Sequence, residues 1–345
     1  MILPQSYLAT LTLLILCVVF WGLWANTYKL ARWRFELYYF DWVFGAFLAA
    51  VILGLTFGSL GFDGFSIRDD LMIVSKRAWA YALAAGVIFT LGNTFLVAAM
   101  AIAGIFMAFP VGIGVSIVVN AAVNYAIRRS GAIMFLLLGS ALMIGAVAAV
   151  ALAYRHLLIL RHEQIARAGK AKSTRRPGAG KAIGFAVAGG ILLGSFSPLL
   201  DGARAGDIGM GPYSMALLFT AGATVSTLMF NLFFMNLPVE GEPLEVPQYF
   251  RGPLRNHLLG LAGGALWAAG FVALLVVEAV PQQIGRPLSD GMSQAAALIA
   301  AGCGLYIWKE ALGADGRVKS LEGLGLLFFA GAIVLLAMIP VFGAK

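Results

Sequence analysis

Trp21, Trp24, Asn26 and Thr27 follow one another inside an apolar run. Flat indoles beside an amide can sandwich a ring compound and hydrogen-bond its edge. Indoles also form the aromatic belt of a membrane–water boundary, with a basic neighbour such as Lys29. The belt suits Trp21; for Trp24 and Asn26 both readings stand. Other polar groups recur deep in apolar runs: Asn93 and Thr94 after Gly92, Asn120 one helical turn from Asn124, Ser195 and Ser197, Trp267, and Gln294. A buried amide without a partner costs on the order of a few kcal/mol. It must therefore bond either a neighbouring helix or a passing solute. Among the acids, Glu36 beside Arg32 and Arg34 is simplest as an interfacial ion pair. Burial raises a carboxyl's hold on its proton, which makes Asp41 a candidate proton carrier. Glu278 and Asp290 flank Arg286; a salt bridge on the outer face is their simpler reading, and proton coupling or an outer gate the other.

The elements that must position these groups follow from composition. The chain has 345 residues, 61% hydrophobic and only 12% charged, against about 25% charged in a soluble domain. So few charges cannot cover a water-facing surface of this size, so an integral membrane protein is expected. Cys17 and Cys303 sit in apolar runs, which argues against a disulfide framework or a zinc site. No Ser/His/Asp, Cys/His or HExxH arrangement suggests catalysis, and neither a cofactor nor a metal is expected.

Ten apolar runs reach the ~20 residues needed to cross a bilayer: 6–28, 37–60, 78–102, 105–127, 132–154, 183–203, 211–237, 256–280, 287–309 and 321–343. The ten-residue alternation of a β-barrel strand is absent. The first run lacks a charged leader and a small-residue cleavage point, so it reads as a span and not as a signal peptide. With both termini outside, 16 of the 24 basic residues fall in cytoplasmic loops, as the positive-inside rule asks; Arg128–Arg129 run against it. Residues 155–182 form a basic linker, with eight Lys or Arg against Glu163, suited to lying against anionic lipid. Gly180-Lys181 is not a phosphate loop, because Arg175 and Ala182 stand where that motif needs glycine and a hydroxyl. The linker also lacks the aromatic residues of a nucleic-acid platform.

The linker separates five spans (1–154) from five (183–345). Five is odd, so the second set must enter the membrane in the opposite sense, the arrangement of inverted repeats in secondary transporters. Echoes support it. Gly22-Leu23-Trp24 aligns with Gly194-Ser195-Phe196, Gly86 and Gly92 with Gly264 and Gly270, and Pro110 with Pro287, at offsets of 172 to 178 residues. Gly190 with Gly194 and Gly260 with Gly264 have the small-xxx-small spacing of close helix crossings.

Ten spans in two halves resemble the drug/metabolite transporter superfamily. The segment Trp21–Thr27, followed by Arg34–Tyr39 and Asp41-Trp42, is similar to its glucose/ribose porter, rhamnose transporter and ureide permease branch. Ser195-Phe196-Ser197-Pro198 is similar to the ureide permeases, although their nucleotide-loop-like stretch has no valid counterpart here. The resemblance implies a multi-pass protein of the inner (cytoplasmic) membrane that takes up a small polar solute, a sugar or a ureide/nucleobase-like compound, driven by protons. Trp24, Asn26, Asn93, Thr94, Asn120, Ser195, Ser197, Trp267 and Gln294 would line its site, with Asp41, Glu278 or Asp290 for the proton. The partners expected are that solute, protons and lipid, with a homodimer left open and no nucleic acid. An exporter of the same superfamily, with an aromatic-lined cavity, is the alternative; a non-transporting scaffold is a third.

Overall fold

The computed structural model describes residues 1–128, 132–167, 178–206 and 208–339. Arg129, the middle of the basic linker (168–177) and Lys345 lie outside the described residues, as do the side chains of Arg128 and Pro287. In chain order the helices are α1 (Tyr7–Leu23), α2 (Ala25–Ala31), α3 (Phe35–Leu55), α4 (Ile67–Ile73), α5 (Lys76–Ala103), α6 (Ile105–Arg128), α7 (Ile133–Arg167) and α8 (Gly180–Ser195). They continue as α9 (Ser197–Arg204), α10 (Pro212–Asn236), α11 (Val246–Phe250), α12 (Leu254–Glu278), α13 (Arg286–Ser293) and α14 (Ala296–Gly302), then a π turn (Cys303–Ile307) and α15 (Gly316–Ala337). Among the described residues, nine helical segments are long and apolar enough to cross a bilayer. Large apolar side chains such as Leu8, Phe44, Ile52, Leu137, Met229 and Leu327 are exposed on them, as lipid contact permits and water does not. The chain is an all-α, multi-pass membrane protein.

Two expected boundaries differ. The span expected at 287–309 is not one helix but α13, α14 and the π turn. Ser289 and Ser293 turn their hydroxyls back to the carbonyls of Arg286 and Asp290, at 2.9 and 2.8 Å. Such local bonds compete with helix propagation, and Gln294 caps α13. The fifth span, expected to end at residue 154, continues as helix to Arg167, so the first part of the basic linker is ordered.

Packing divides the chain into two compact units, Met1–Thr94 with Ser195–Ala296, and Phe95–Gly194 with Ala297–Lys345. Each takes residues from both sides of the linker. In the first unit α3 packs on α12 and α10, and α1 on α12. Its closest crossings are made by glycine. A methyl at Gly45 would strike the Leu261 backbone, and one at Gly264 the Trp42 carbonyl and Ala46 nitrogen. Likewise a methyl at Gly222 would strike the Leu83 backbone, and one at Gly86 the Phe219 carbonyl and Ala223 nitrogen. The α1–α2 rod breaks at Trp24, where Thr27 Oγ1 donates to the Trp24 carbonyl (2.7 Å) and Asn26 Nδ2 to that of Leu23 (2.9 Å).

In the second unit α7 packs on α15 and α6, and Gly190 and Gly194 meet the α6 backbone at Gly112 and Ser116. The chain reverses at Gly104 (φ +91°), and the free N–H of Phe106 at the start of α6 donates to Glu310 Oε2 (2.9 Å). The helical part of the linker grips the loop before α15. His156 Nε2 lies 3.1 Å from Asp315 Oδ2, and Arg161 donates to the carbonyls of Glu310 and Leu312. These basic residues thus hold protein, where the sequence suggested lipid.

Asp315 caps α15 by accepting from the Val318 N–H at 2.8 Å. That bond, with help from His156, holds its carboxyl below the usual carboxylate range. A depressed carboxyl stabilises the fold above its unfolded value and loses that contribution as pH falls through its folded one. Asp315→Ala is expected to fray the first turn of α15 at neutral pH, seen as faster amide exchange at Val318. Acidification from about pH 4 downward is expected to shrink the difference between variant and parent, which vanishes only once the pH is below the depressed folded value.

Candidate functional site

Five helices of the first unit bring a set of aromatic rings together. Trp42 of α3 lies 5.2 Å from Trp24, 5.3 Å from Tyr39 and 5.4 Å from Trp267, centroid to centroid. Trp267 of α12 in turn meets Phe89 of α5 at 4.5 Å, Phe271 at 5.1 Å and Phe219 of α10 at 6.0 Å, and stacks on Trp21 at 6.1 Å. Phe196, in the break between α8 and α9, reaches Phe89 at 5.7 Å and Phe219 at 5.6 Å. Most of these rings are buried; Trp21 and Phe196 are half-buried. Trp21 also donates its indole N–H to the Trp267 carbonyl at 3.0 Å. It packs against protein here, where the sequence suggested a boundary belt.

Trp24 and Trp267 therefore lie in one cluster. Ser195 and Ser197 flank the cluster's Phe196 and are half-buried. Asn93 is buried and donates to the Tyr39 hydroxyl at 3.2 Å, so its amide takes the neighbouring-helix partner. Thr94 is also buried and donates to the Thr90 carbonyl at 2.7 Å. Asn26 is half-buried and serves the helix break. Gln294 is half-buried at the end of α13. Asn120 belongs to the second unit, where its Oδ1 accepts from Asn124 at 2.7 Å.

The acids form separate groups. Buried Asp41 accepts from the Tyr249 hydroxyl at 2.6 Å and lies 2.8 Å from His257 Nδ1. Trp33 stacks on Tyr249 and meets His257 edge-on. Burial and the Asp41 carboxylate both push the Tyr249 phenol up, so at neutral pH it is a donor to Asp41. Carboxylate, imidazole and phenol in one chain of contacts can hold and pass a proton. Glu36, fully buried, pairs with Arg34 at 2.8 Å. Elsewhere in the unit Glu278 pairs with Arg204, while Arg286 donates to the Glu278 backbone carbonyl (3.3 Å). The partner suggested by sequence proximity is thus replaced by one 74 residues away. Asp290 lies within electrostatic reach of Glu278, Arg204 and Asp201. It keeps accessible surface.

Tyr249, His257, Arg204 and the rings of Trp42, Phe89, Phe196, Phe219 and Phe271 were not singled out as site residues by sequence. His257 sits where a polar loop enters α12, and an ionisable ring at such an entry was the available signal. Among the described residues, no group of His, Cys, Asp and Glu could hold a metal ion.

No family model and no curated protein matches the chain. A solved crystal structure of a protein of unstated function is similar to it at a TM-score of 0.47 and 16% identity, covering 95% of this chain and 96% of the other. A likeness at that level carries no argument about fold or function.

Proposed function

We propose that the protein is a secondary transporter of the drug/metabolite transporter type, built from two inverted repeats, that takes up a small polar solute with protons. The observation that carries this reading is the pairing of the glycine crossings. Gly45 on Leu261 and Gly222 on Leu83 use residues 177 and 178 positions apart, as do Gly264 on Trp42 and Ala46 and Gly86 on Phe219 and Ala223. Each crossing recurs with its partners exchanged between the halves, as a two-fold relation between repeats requires. The helix breaks at Trp24 and Phe196 recur in the same way, 172 residues apart. Broken helices bearing rings are suited to a midplane site, and Asp41 with His257 and Tyr249 supplies a proton relay. Both termini outside an inner membrane, and Trp24, Asn26, Ser195, Ser197, Trp267 and Gln294 around the solute, complete the reading.

The test is uptake into liposomes under an imposed pH gradient. Wild type is expected to accumulate a member of a sugar, ureide and nucleobase panel only with the gradient present. Asp41→Asn keeps the size of the side chain but cannot carry the proton. It is expected to lose the whole gradient-dependent part while still exchanging labelled for unlabelled solute. Undiminished accumulation by Asp41→Asn removes Asp41 from coupling, and uptake indifferent to the gradient removes symport.

The aromatic character of the cluster, with Asn93 spent on Tyr39, favours a second reading, export of an amphipathic metabolite. Export assays in cells expressing the protein separate the two.

A further inference from the structure

Among the described residues, one donor within the ring cluster has no partner. Trp42 is 1% exposed, and its indole Nε1 has no hydrogen-bond acceptor. Buried indole N–H groups ordinarily find one. The pyrrole edge that carries this N–H faces Gly263: a methyl at Gly263 would lie 3.2 Å from Trp42 Cδ1, the carbon next to Nε1, and would run into the hydroxyls of Thr27 and Tyr38. Three polar groups from two helices, α2 and α3, therefore crowd Gly263, an α12 position without a side chain.

Their protons can be assigned. The Thr27 hydroxyl donates to the Trp24 carbonyl at 2.7 Å, so its single proton is spent. The Tyr38 hydroxyl lies 2.7 Å from Thr27 Oγ1 and must therefore donate to it. That leaves the Tyr38 oxygen with acceptor capacity and Trp42 with an unspent donor, both beside Gly263. The side chains of this cluster are all neutral. The rings of Trp24, Tyr39 and Trp267 lie against Trp42 and supply apolar faces.

We infer that this cluster beside Gly263, packed closed in this structure, opens into the edge-reading niche of the solute site, in which Trp42 Nε1–H donates to an acceptor oxygen of a neutral ring compound and the Tyr38 oxygen accepts from its adjacent N–H or O–H. The inference rests on the transporter reading and adds two specificity-determining residues, Trp42 and Tyr38, to it. A cyclic amide and a pyranose both present such an edge beside an apolar face. Admission of a ring requires a neighbouring ring to turn aside. Trp24 and Phe196 are suited to do so, because each sits at the junction between two helical segments.

The test measures binding of uracil and of glucose to the full-length protein in lipid nanodiscs, by calorimetry, alongside gradient-driven uptake of the same compounds. At least one probe is expected to bind wild type, and Trp42→Phe, which removes the donor but keeps a ring, is expected to weaken it roughly tenfold. Tyr38→Phe leaves the ring packing intact and is expected to weaken the same probe by a similar factor, so it answers the question if Trp42→Phe does not fold. On the probe side, 1,3-dimethyluracil or 1-O-methylglucoside, each with part of its polar edge blocked, is expected to bind more weakly than its parent. Wild-type affinity in both folded variants overturns the inference, as does a wild type that binds neither probe. Binding without gradient-driven uptake upholds the niche and removes the transporter reading. Uptake of either probe with unaltered affinity in both variants upholds the transporter and removes the niche.

Discussion

Gly264→Val is expected to yield little or no folded protein. The position lies where α12 crosses α3, and even the first carbon of a side chain would fall on the Trp42 carbonyl, with the Ala46 nitrogen and Trp42 carbonyl carbon both 2.7 Å away. These are backbone atoms of a packed helix, so no rotamer change relieves the clash and the two helices must separate. Overpacking a core by one or two methyl groups costs about 1–3 kcal/mol where side chains can yield. Here they cannot, and the loss extends along the whole crossing that holds the ring cluster. Against a total stability of about 5–15 kcal/mol, the valine is enough to unfold much of the population at 37 °C. Gly86→Val, facing the Phe219 carbonyl at the partner crossing, is expected to behave in the same way. Gly323→Ala is the control: nothing lies within 4 Å of its missing Cβ in α15, and an alanine there is expected to gain about 1 kcal/mol in helix propensity. Thermal melting and size-exclusion profiles of the three variants in detergent check the ordering.

Arg204→Gln is expected to destabilise the protein by about 3–5 kcal/mol, the range for breaking a buried ion pair from one side. Arg204 pairs with Glu278, and their side chains are 16% and 7% exposed; Asp201 lies 3.8 Å from the same guanidinium. Asp290 is within reach of the group as well. Removing the arginine leaves the carboxylates facing one another with no cation between them, so the damage exceeds the loss of one contact. Glu278→Gln in the Arg204→Gln background is expected to recover most of the stability, because it removes the charge that was stranded. A double-mutant cycle on melting temperature gives the coupling. If the double variant is no more stable than Arg204→Gln alone, the buried charge is not the cause.

The apolar runs were legible because lipid imposes their length and composition directly on the chain. The positions of Gly86 and Gly264 were legible as echoes, and the Gly260–Gly264 spacing predicted a close crossing. Helix breaks were less so. At Trp24 no proline interrupts the run; the break is made by the side chains of Asn26 and Thr27 bonding back to the preceding carbonyls, and a polar side chain in a span does not declare whether it will do that. Asp290 and Gln294 could be picked out as polar groups of the ninth run, yet its adequate hydropathy concealed that it is divided. Partners were the least legible. Asp41 could be picked out as a buried acid, but Tyr249 and His257 lie 208 and 216 residues further on. Only the fold brings them to it. Asn93 shows the same limit from the other side: its burial was readable, while its choice of Tyr39 over a solute was not.

α7 is 35 residues long, about 52 Å at 1.5 Å per residue, whereas the hydrocarbon layer is about 30 Å thick. Its far end therefore stands in water as a stiff post. The post is pinned to the loop before α15 through His156 and Arg161, and that loop supplies Glu310 to the start of α6. A macromolecule that grasped the post from the aqueous side would have a lever on the membrane-embedded helices, where a limp tether would transmit nothing.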